Sequence, residues 1–260
     1  MSKETRMSKK ICLLTGAGRT SSIANGIAHE LAADGWDLAL TTWDGYDASM
    51  PWGLAAMDVG SLVTELEGAG ARVAVYPADL ADPEAPARLL GAVNSDLGPV
   101  TALVLSHSHG VDSSILDTTL ESWDAHYAVN VRAAWLAIKA FAEQLPPVDR
   151  LDDGARVVAL TSDHVVHNLP YGSSKGALDR LVIAAARELA HLGVSSNALN
   201  PGPIDTGWMD DEIRASGTEQ QPTGRLGTPA DIGQVVRFLL SPPGRWISGQ
   251  LIKADGGFSV

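Results

Sequence analysis

Tyr171 and Lys175 stand four residues apart in the stretch Leu169-Pro-Tyr-Gly-Ser-Ser-Lys-Gly-Ala-Leu178. On a helix that spacing puts both side chains on one face, one turn apart. An ammonium held beside a phenol favours the phenolate, so a group with a reference pKa of about 10 can act as acid or base nearer neutral pH. The chemistry open to this pair is proton transfer.

A proton donor of this kind needs a reaction partner, and the N-terminal region offers a place to hold one. The apolar run Ile11-Cys-Leu-Leu14 leads into Thr15-Gly-Ala-Gly-Arg-Thr-Ser-Ser-Ile-Ala-Asn-Gly-Ile-Ala28, the pattern of a buried strand, a Gly-rich turn and a helix start. Backbone amides at such a turn, together with the helix N-terminal dipole, bind the pyrophosphate of a dinucleotide. Gly16 and Gly18 let the chain turn tightly and approach the ligand, and Gly26 is expected to let the helix sit close to the sheet.

The rest of the chain must position these groups. After the first strand, apolar β-rich runs recur at Leu38 to Thr42, Arg72 to Tyr76, Val100 to Leu105, Arg156 to Thr161, Val194 to Leu199 and Gln250 to Lys253, with helical patterns between them. Such alternation predicts an α/β, single-domain Rossmann fold: a doubly wound, parallel, seven-stranded sheet with helices on both faces. Leu178, Leu181, Val182, Ala185 and Leu189 form a helical stripe expected to face the core, as do Val131, Ala134, Trp135, Ile138 and Ala142. An irregular insert, Asp44 to Gly53, follows the second strand where a ribose or adenine would lie.

Composition narrows the function. With 260 residues and 45% hydrophobic content, one catalytic domain over 10–260 is expected, preceded by a flexible tail over 1–9. The single cysteine, Cys12, lies inside the first strand, which excludes a disulfide framework and points to a reducing, cytoplasmic setting. No stretch approaches the ~20 apolar residues of a membrane span. A net charge of −12 argues against a nucleic-acid partner. His107 and His109 stand two apart with no third ligand at zinc-like spacing, so no metal is expected. These two histidines, with His164 and His167, are read as lining the site, bonding to backbone or facing solvent.

From Lys10 to Val260 the chain resembles the short-chain dehydrogenase/reductase family. Beyond the Gly-rich turn and Tyr-x-x-x-Lys, the resemblance rests on Ala78-Asp-Leu80, Asn130 in Tyr-Ala-Val-Asn-Val, Ser162 in Ala-Leu-Thr-Ser, Asn200-Pro-Gly-Pro-Ile-Asp-Thr206, and Ser248-Gly-Gln followed by Ala254-Asp-Gly-Gly257. It implies a catalytic set of Asn130, Ser162, Tyr171 and Lys175. Tyr171 would protonate a carbonyl oxygen as hydride arrives, Ser162 would hydrogen-bond that oxygen, Lys175 would lower the Tyr171 pKa and hold the ribose, and Asn130 would organise a relay water. The implied cofactor contacts are Gly16, Gly18, Arg19, Ser22 and Ile23 in the turn, then Thr42, Trp43, Asp79, Leu80 and Ser106. Tyr171, Lys175, Pro201, Gly202, Ile204 and Thr206 complete that set. Thr42 and Trp43 stand where NAD-specific relatives keep an acid, and Arg19 can attract a 2′-phosphate, so NADP(H) is expected over NAD(H). Relatives pair the long helices beginning near Glu121 and Tyr171, which implies a homotetramer or dimer.

Three departures shape the expected activity. Ser162 precedes Tyr171 by nine residues where most relatives have about a dozen, leaving Thr161 as an alternative; the two point to opposite faces of the strand. Ser106-His-Ser-His109 replaces the usual Asn-Asn-Ala-Gly. The nucleotide turn looks like that of enoyl-acyl carrier protein reductases, but those place six residues between Tyr and Lys, and the only lysine after Lys175 is Lys253. Met50-Pro-Trp52 and Trp208-Met209 look like relatives described as 3-oxoacyl-acyl carrier protein reductases. The expected reaction is reduction of a 3-oxoacyl-type or other small ketone to a secondary alcohol. The alternatives are an enoyl-thioester reductase and a non-catalytic dinucleotide-binding regulator. A substrate pocket is expected from Ser106 to His109, the 163–170 loop and a lid over about 205–221.

Overall fold

The computed structural model describes residues 10–50, 53, 58–207 and 209–260. The expected tail therefore lies outside the described residues, as do Pro51, Trp52 and Trp208. Among the described residues the strands are β1 (Ile11–Leu14), β2 (Asp37–Thr42), β3 (Val73–Pro77), β4 (Ala102–Leu105), β5 (Ala155–Leu160), β6 (Val194–Asn200) and β7 (Leu251–Lys253). They form one sheet in the order β3-β2-β1-β4-β5-β6-β7, with every pairing parallel. Parallel strands need crossovers, and the helices that supply them cover both faces. This is the doubly wound Rossmann architecture that the alternation of strand and helix patterns predicts.

Alternation along β1 splits the core in two. Cys12 and Leu14 face α1 (Ile23–Ala33), α3 (Val59–Gly68) and α9 (Pro229–Leu240). Ile11 and Leu13 face α4 (Ala85–Asp96), α6 (Ala133–Gln144) and α7 (Leu169–Glu188). With both faces covered, β1, β4 and β5 are buried throughout, which is why they read as unbroken apolar runs. Leu14, at the end of β1, and its β2 partner Leu40 are fully buried and contribute about 1.5–3 kcal/mol each beneath the Gly-rich turn.

Four local features differ from the expectation. Gly26 serves a helix–helix contact and not a helix–sheet one: a Cβ there would lie 2.3 Å from the backbone of Pro229, where α9 begins. The insert after β2 holds a short helix, α2 (Asp44–Ser49), and the expected lid contains α8 (Asp211–Gln220). The stripe at Val131 to Ala142 is split, because Ala133, Ala134, Ala137, Ile138 and Phe141 face the core while Trp135 is 51% exposed. Together with Tyr127, Val131 and Leu181, Trp135 lines an outer groove. Finally, the helix from α5 (Leu120–His126) into α6 passes through a π-helical stretch, Tyr127–Arg132, which contains Asn130. No helix among the described residues is long and apolar enough to cross a membrane.

Candidate active site

The strand order reverses between β1 and β4, so the connections leaving their C-terminal ends part and open a crevice. Gly16 sits at its base with φ of 77°, and a Cβ there would meet the His107 backbone at 2.8 Å. Thr15 ties the two loops: its Oγ1 accepts from the backbone N–H of Ser106 at 3.0 Å and of His107 at 3.2 Å. Ser22 caps α1, its hydroxyl accepting from the Asn25 N–H, so the positive end of α1, with Ile23 first, opens beside the turn that holds Gly18.

The opposite wall is the segment after β6. Pro201 is buried, and Gly202, with φ of 64°, lies against Asp255, where any Cβ would collide at 2.5 Å. Ile204 is buried, and the Thr206 carbonyl accepts from Ser21 Oγ at 2.9 Å and from Arg19 Nη1 at 3.3 Å. Arg19 also forms an ion pair with Asp47 of α2 at 3.9 Å, so its charge is shared between the turn, α2 and the far wall. At the other end Trp43 and Asp79 line one groove with Tyr76 and Arg88, while Thr42 and Leu80 are buried. A Gly-rich turn, a helix N-terminus and two walls of this kind suit a nicotinamide dinucleotide.

Tyr171 and Lys175 occupy the first turns of α7, where Lys175 is buried and Tyr171 half-buried. Of the two candidates at the end of β5, Ser162 is the one whose hydroxyl acts on the Tyr171 phenol, lowering its pKa as Ser108 does. Thr161 is turned to α7, its Oγ1 donating to the Lys175 carbonyl at 3.4 Å.

Lys175 Nζ donates to the Leu160 carbonyl at 2.9 Å and stands over the Tyr171 ring, 5.5 Å from its centroid. Burial pushes Lys175 down to about 8, opposed by Asp179. Burial also raises the Tyr171 phenol, against the pull of Ser108 and Ser162. Desolvation thus favours the protonated form of the phenol.

Asn130 is fully enclosed. Its Oδ1 accepts from the His109 N–H at 2.8 Å, and its Nδ2 donates to the His109 carbonyl and to Ser174 Oγ, both at 2.9 Å. One carboxamide therefore satisfies both polar groups of a loop residue and anchors them to α7. His109 packs edge-on against Tyr46 and against His126, with ring centroids 5.5 Å and 4.6 Å away. His126 accepts from the Val111 N–H at Nε2 and donates to the Ser122 carbonyl from Nδ1. His107 is bonded at both nitrogens, whereas His164 and His167 are exposed. No group of three potential metal ligands converges among the described residues.

Sequence reasoning did not single out Tyr46, Asp47 or His126, and it named Ser108 only as part of the Ser106 to His109 pocket segment. Tyr46 exchanges hydrogen bonds with the N–H and C=O of Gly110, both at 3.3 Å, across 64 positions of chain. No local pattern announces such a contact.

The sequence matches the family described as Enoyl-(Acyl carrier protein) reductase over residues 16–259. It is 32% identical to an uncharacterized oxidoreductase, YjdA, of Bacillus subtilis, over 96% of this chain and 97% of that protein. A blue fluorescent protein from a metagenomic library, solved in complex with NADPH, superposes with a TM-score of 0.84 at 30% identity, covering 96% of this chain and 98% of that one. A 3-oxoacyl-[acyl-carrier protein] reductase from Brucella melitensis superposes with a TM-score of 0.83 at 27% identity, covering 96% and 97%.

The His107 contacts set a pH dependence. Its Nε2 must donate to the Val129 carbonyl at 3.0 Å, so Nδ1 must accept from the Thr15 hydroxyl at 2.7 Å, and the ring has to be neutral. Burial, reinforced by Lys175, lowers His107 from 6.5 to about 4. The unfolded chain therefore binds a proton near pH 6.5 that the folded chain refuses until about pH 4. This stability is complete above pH 6.5 and lost as pH falls towards 4. Urea unfolding of wild type and His107→Asn should show a stability gap that narrows by about 2 kcal/mol between pH 7 and pH 4.5. A gap independent of pH would mean that the ring does not stay neutral.

Proposed function

Because this chain belongs to the short-chain dehydrogenase/reductase family, we propose that it reduces a ketone to a secondary alcohol, with Tyr171 as proton donor. The coarser statement, an oxidoreductase using a nicotinamide dinucleotide, is shared by the family. The observation that carries the finer one is the Tyr171–Lys175 pair at the start of α7, with Lys175 Nζ 5.5 Å from the centroid of the Tyr171 ring.

When bound, the reduced nicotinamide supplies hydride to the carbonyl carbon. The chain must supply the proton and hold the oxygen that receives it. A phenol kept protonated by burial is poised to give that proton, and the Ser162 hydroxyl is placed to bond the same substrate oxygen. Lys175, whose lowered pKa of about 8 still leaves it mostly charged at pH 7, holds the ribose hydroxyls. Asn130 acts by fixing the 106–110 loop through His109. The substrate is of the 3-oxoacyl type, by analogy with the Brucella melitensis enzyme.

The description of the matched family favours a second reading, reduction of an enoyl thioester. The one-turn Tyr171–Lys175 spacing supports the ketone instead, and Lys253, the only later lysine, is paired with Asp163 at 3.0 Å. A non-catalytic dinucleotide binder would have no use for the proton donor. Tyr171→Phe should leave NADPH binding nearly intact and lower ketone turnover at least ~10²-fold. Retention of more than about half the activity would remove Tyr171 from the mechanism. An enoyl thioester reduced in preference to every ketone tried would favour the second reading.

Three further properties complete this reading. NADP(H) is preferred, because Thr42 and Trp43 present no carboxylate to repel a 2′-phosphate and Arg19 is near the pyrophosphate turn; the NADPH-bound neighbour is in keeping with it. Titration of tryptophan fluorescence with both cofactors should show tighter binding of NADPH, and tighter NADH binding would refute the preference. The protein is cytoplasmic, as its one thiol, Cys12, wholly buried and raised in pKa by that burial, suits a reducing compartment. It assembles as a homotetramer or dimer through α5, α6 and α7, whose outer groove exposes Trp135. Light scattering should give a multiple of 27.2 kDa; a monomer at all concentrations would exclude the assembly.

A further inference from the structure

We propose that Tyr46 is a positioning residue for the reaction: from α2 it fixes Gly110 and the His109 ring, and so sets the loop after β4 to which the Tyr171 turn of α7 is tied. This rests on the ketone reduction proposed above. The Tyr46 hydroxyl is spent on the backbone of Gly110, so it acts through the loop and takes no part in the hydride or proton step.

The insert after β2 puts Tyr46 where it can do this. Asp47, the next residue, is buried and pairs with Arg19 of the Gly-rich turn at 3.9 Å, which ties α2 to that turn. Gly110 lies in a stretch without helix or strand, so no ladder supplies partners for its backbone. The Tyr46 hydroxyl supplies them: it donates to the Gly110 carbonyl and accepts from the Gly110 N–H, both at 3.3 Å. Burial raises the Tyr46 phenol, so the hydrogen it donates stays in place. Each bond is long for its kind and weak alone. The ring adds a third contact, edge-on to His109 with centroids 5.5 Å apart.

From His109 the hold passes to the tyrosine through a continuous run of hydrogen bonds. Asn130 takes the N–H of His109 at 2.8 Å and its C=O at 2.9 Å. The same carboxamide donates to Ser174 Oγ at 2.9 Å, and Ser174 Oγ donates to the Tyr171 carbonyl at 2.7 Å. A shift of Gly110 and His109 therefore moves the amide that braces the turn of α7 carrying Tyr171. Beyond Gly110, His126 accepts from the Val111 N–H at 3.1 Å and packs on the same His109 ring. Hydride and proton transfer are steep in the placement of the reacting atoms, and a displacement of about 1 Å set up far from the chemistry can cost about 10²-fold. Gly110 is only half-buried, so water can stand in for a lost hydroxyl. Removing the Tyr46 hydroxyl thus costs the fold little and the geometry of the site more.

The test uses full-length wild type, Tyr46→Phe and Tyr46→Leu, with NADPH sites counted by titration and ketone turnover expressed per site. Tyr46→Phe, which keeps the ring, should bind NADPH with the wild-type stoichiometry and lower kcat per site roughly 5- to 20-fold. Tyr46→Leu, which also gives up the contact with His109, should lose more. Misaligned hydride transfer becomes the slow step, so the isotope effect on kcat with NADPH deuterated at the transferred position should equal or exceed the wild-type value in Tyr46→Phe. A merely structural role would reduce the number of NADPH sites and leave kcat per site unchanged, and that result would overturn the proposal. So would Tyr46→Phe turnover within about twofold of wild type, a loss confined to KM, or a smaller isotope effect, which would put the slow step in product release. Wild type that reduces no ketone would overturn the reaction and the Tyr46 role together, whereas active wild type with an unaffected Tyr46→Phe removes the Tyr46 role alone.

Discussion

The Asn130 carboxamide is the contact on which the geometry of the crevice depends. It joins three elements that are distant in sequence: the π-helical stretch that carries it, the loop after β4 through both polar groups of His109, and α7 through Ser174. Asn130 and Ser174 are buried, and leaving either side chain unpaired would cost about 1–3 kcal/mol. The π-helical register is what aims the amide at the loop, since it holds one more residue per turn than its α-helical flanks. Ser174 lies one residue before Lys175, so the same amide that holds the loop also sets the turn of α7 that presents Tyr171 and Lys175.

The sheet decides where this knot can sit. In a parallel sheet covered on both faces a ligand can reach the strands at their C-terminal ends, and reversal of the strand order between β1 and β4 opens those ends into a crevice. The Gly-rich turn fits there because the fourth-strand loop passes within van der Waals reach of Gly16, a space that no side chain could share. The Thr15 hydroxyl bonds the backbone of that same loop. The loop is therefore clamped from the nucleotide side by Thr15 and from the tyrosine side by Asn130.

Electrostatics within the knot follow from burial more than from charge pairing. The chain carries a net charge of −12, yet the groups at its centre are shifted chiefly by desolvation: the Tyr171 phenol upward, Lys175 and His107 downward. Each is moved towards its neutral form, and hydroxyls and carbonyls supply the directional contacts that charges would otherwise provide. Tyr46 extends the pattern, as burial raises its phenol too and its hydroxyl is spent on the Gly110 backbone.

Much of this was legible without coordinates. Strand existence and order of appearance follow from apolar runs that must be buried on both faces, and the Gly-rich turn and the Tyr171–Lys175 turn of helix follow from local spacing. Boundaries moved by only a residue or two; Thr161, read as strand, follows β5 while its N–H still donates to Leu199. What local spacing could not supply is direction. It put Gly26 against the sheet when it abuts Pro229 and grouped Trp135 with a core-facing stripe when it is half-exposed. It also passed over Tyr46 and His126, whose partners lie on other elements. Periodicity reports which residues share a face of their own element. Which element covers that face, and at what distance, is decided only when the crossovers close and the polar groups find partners across 15 to 187 positions of chain.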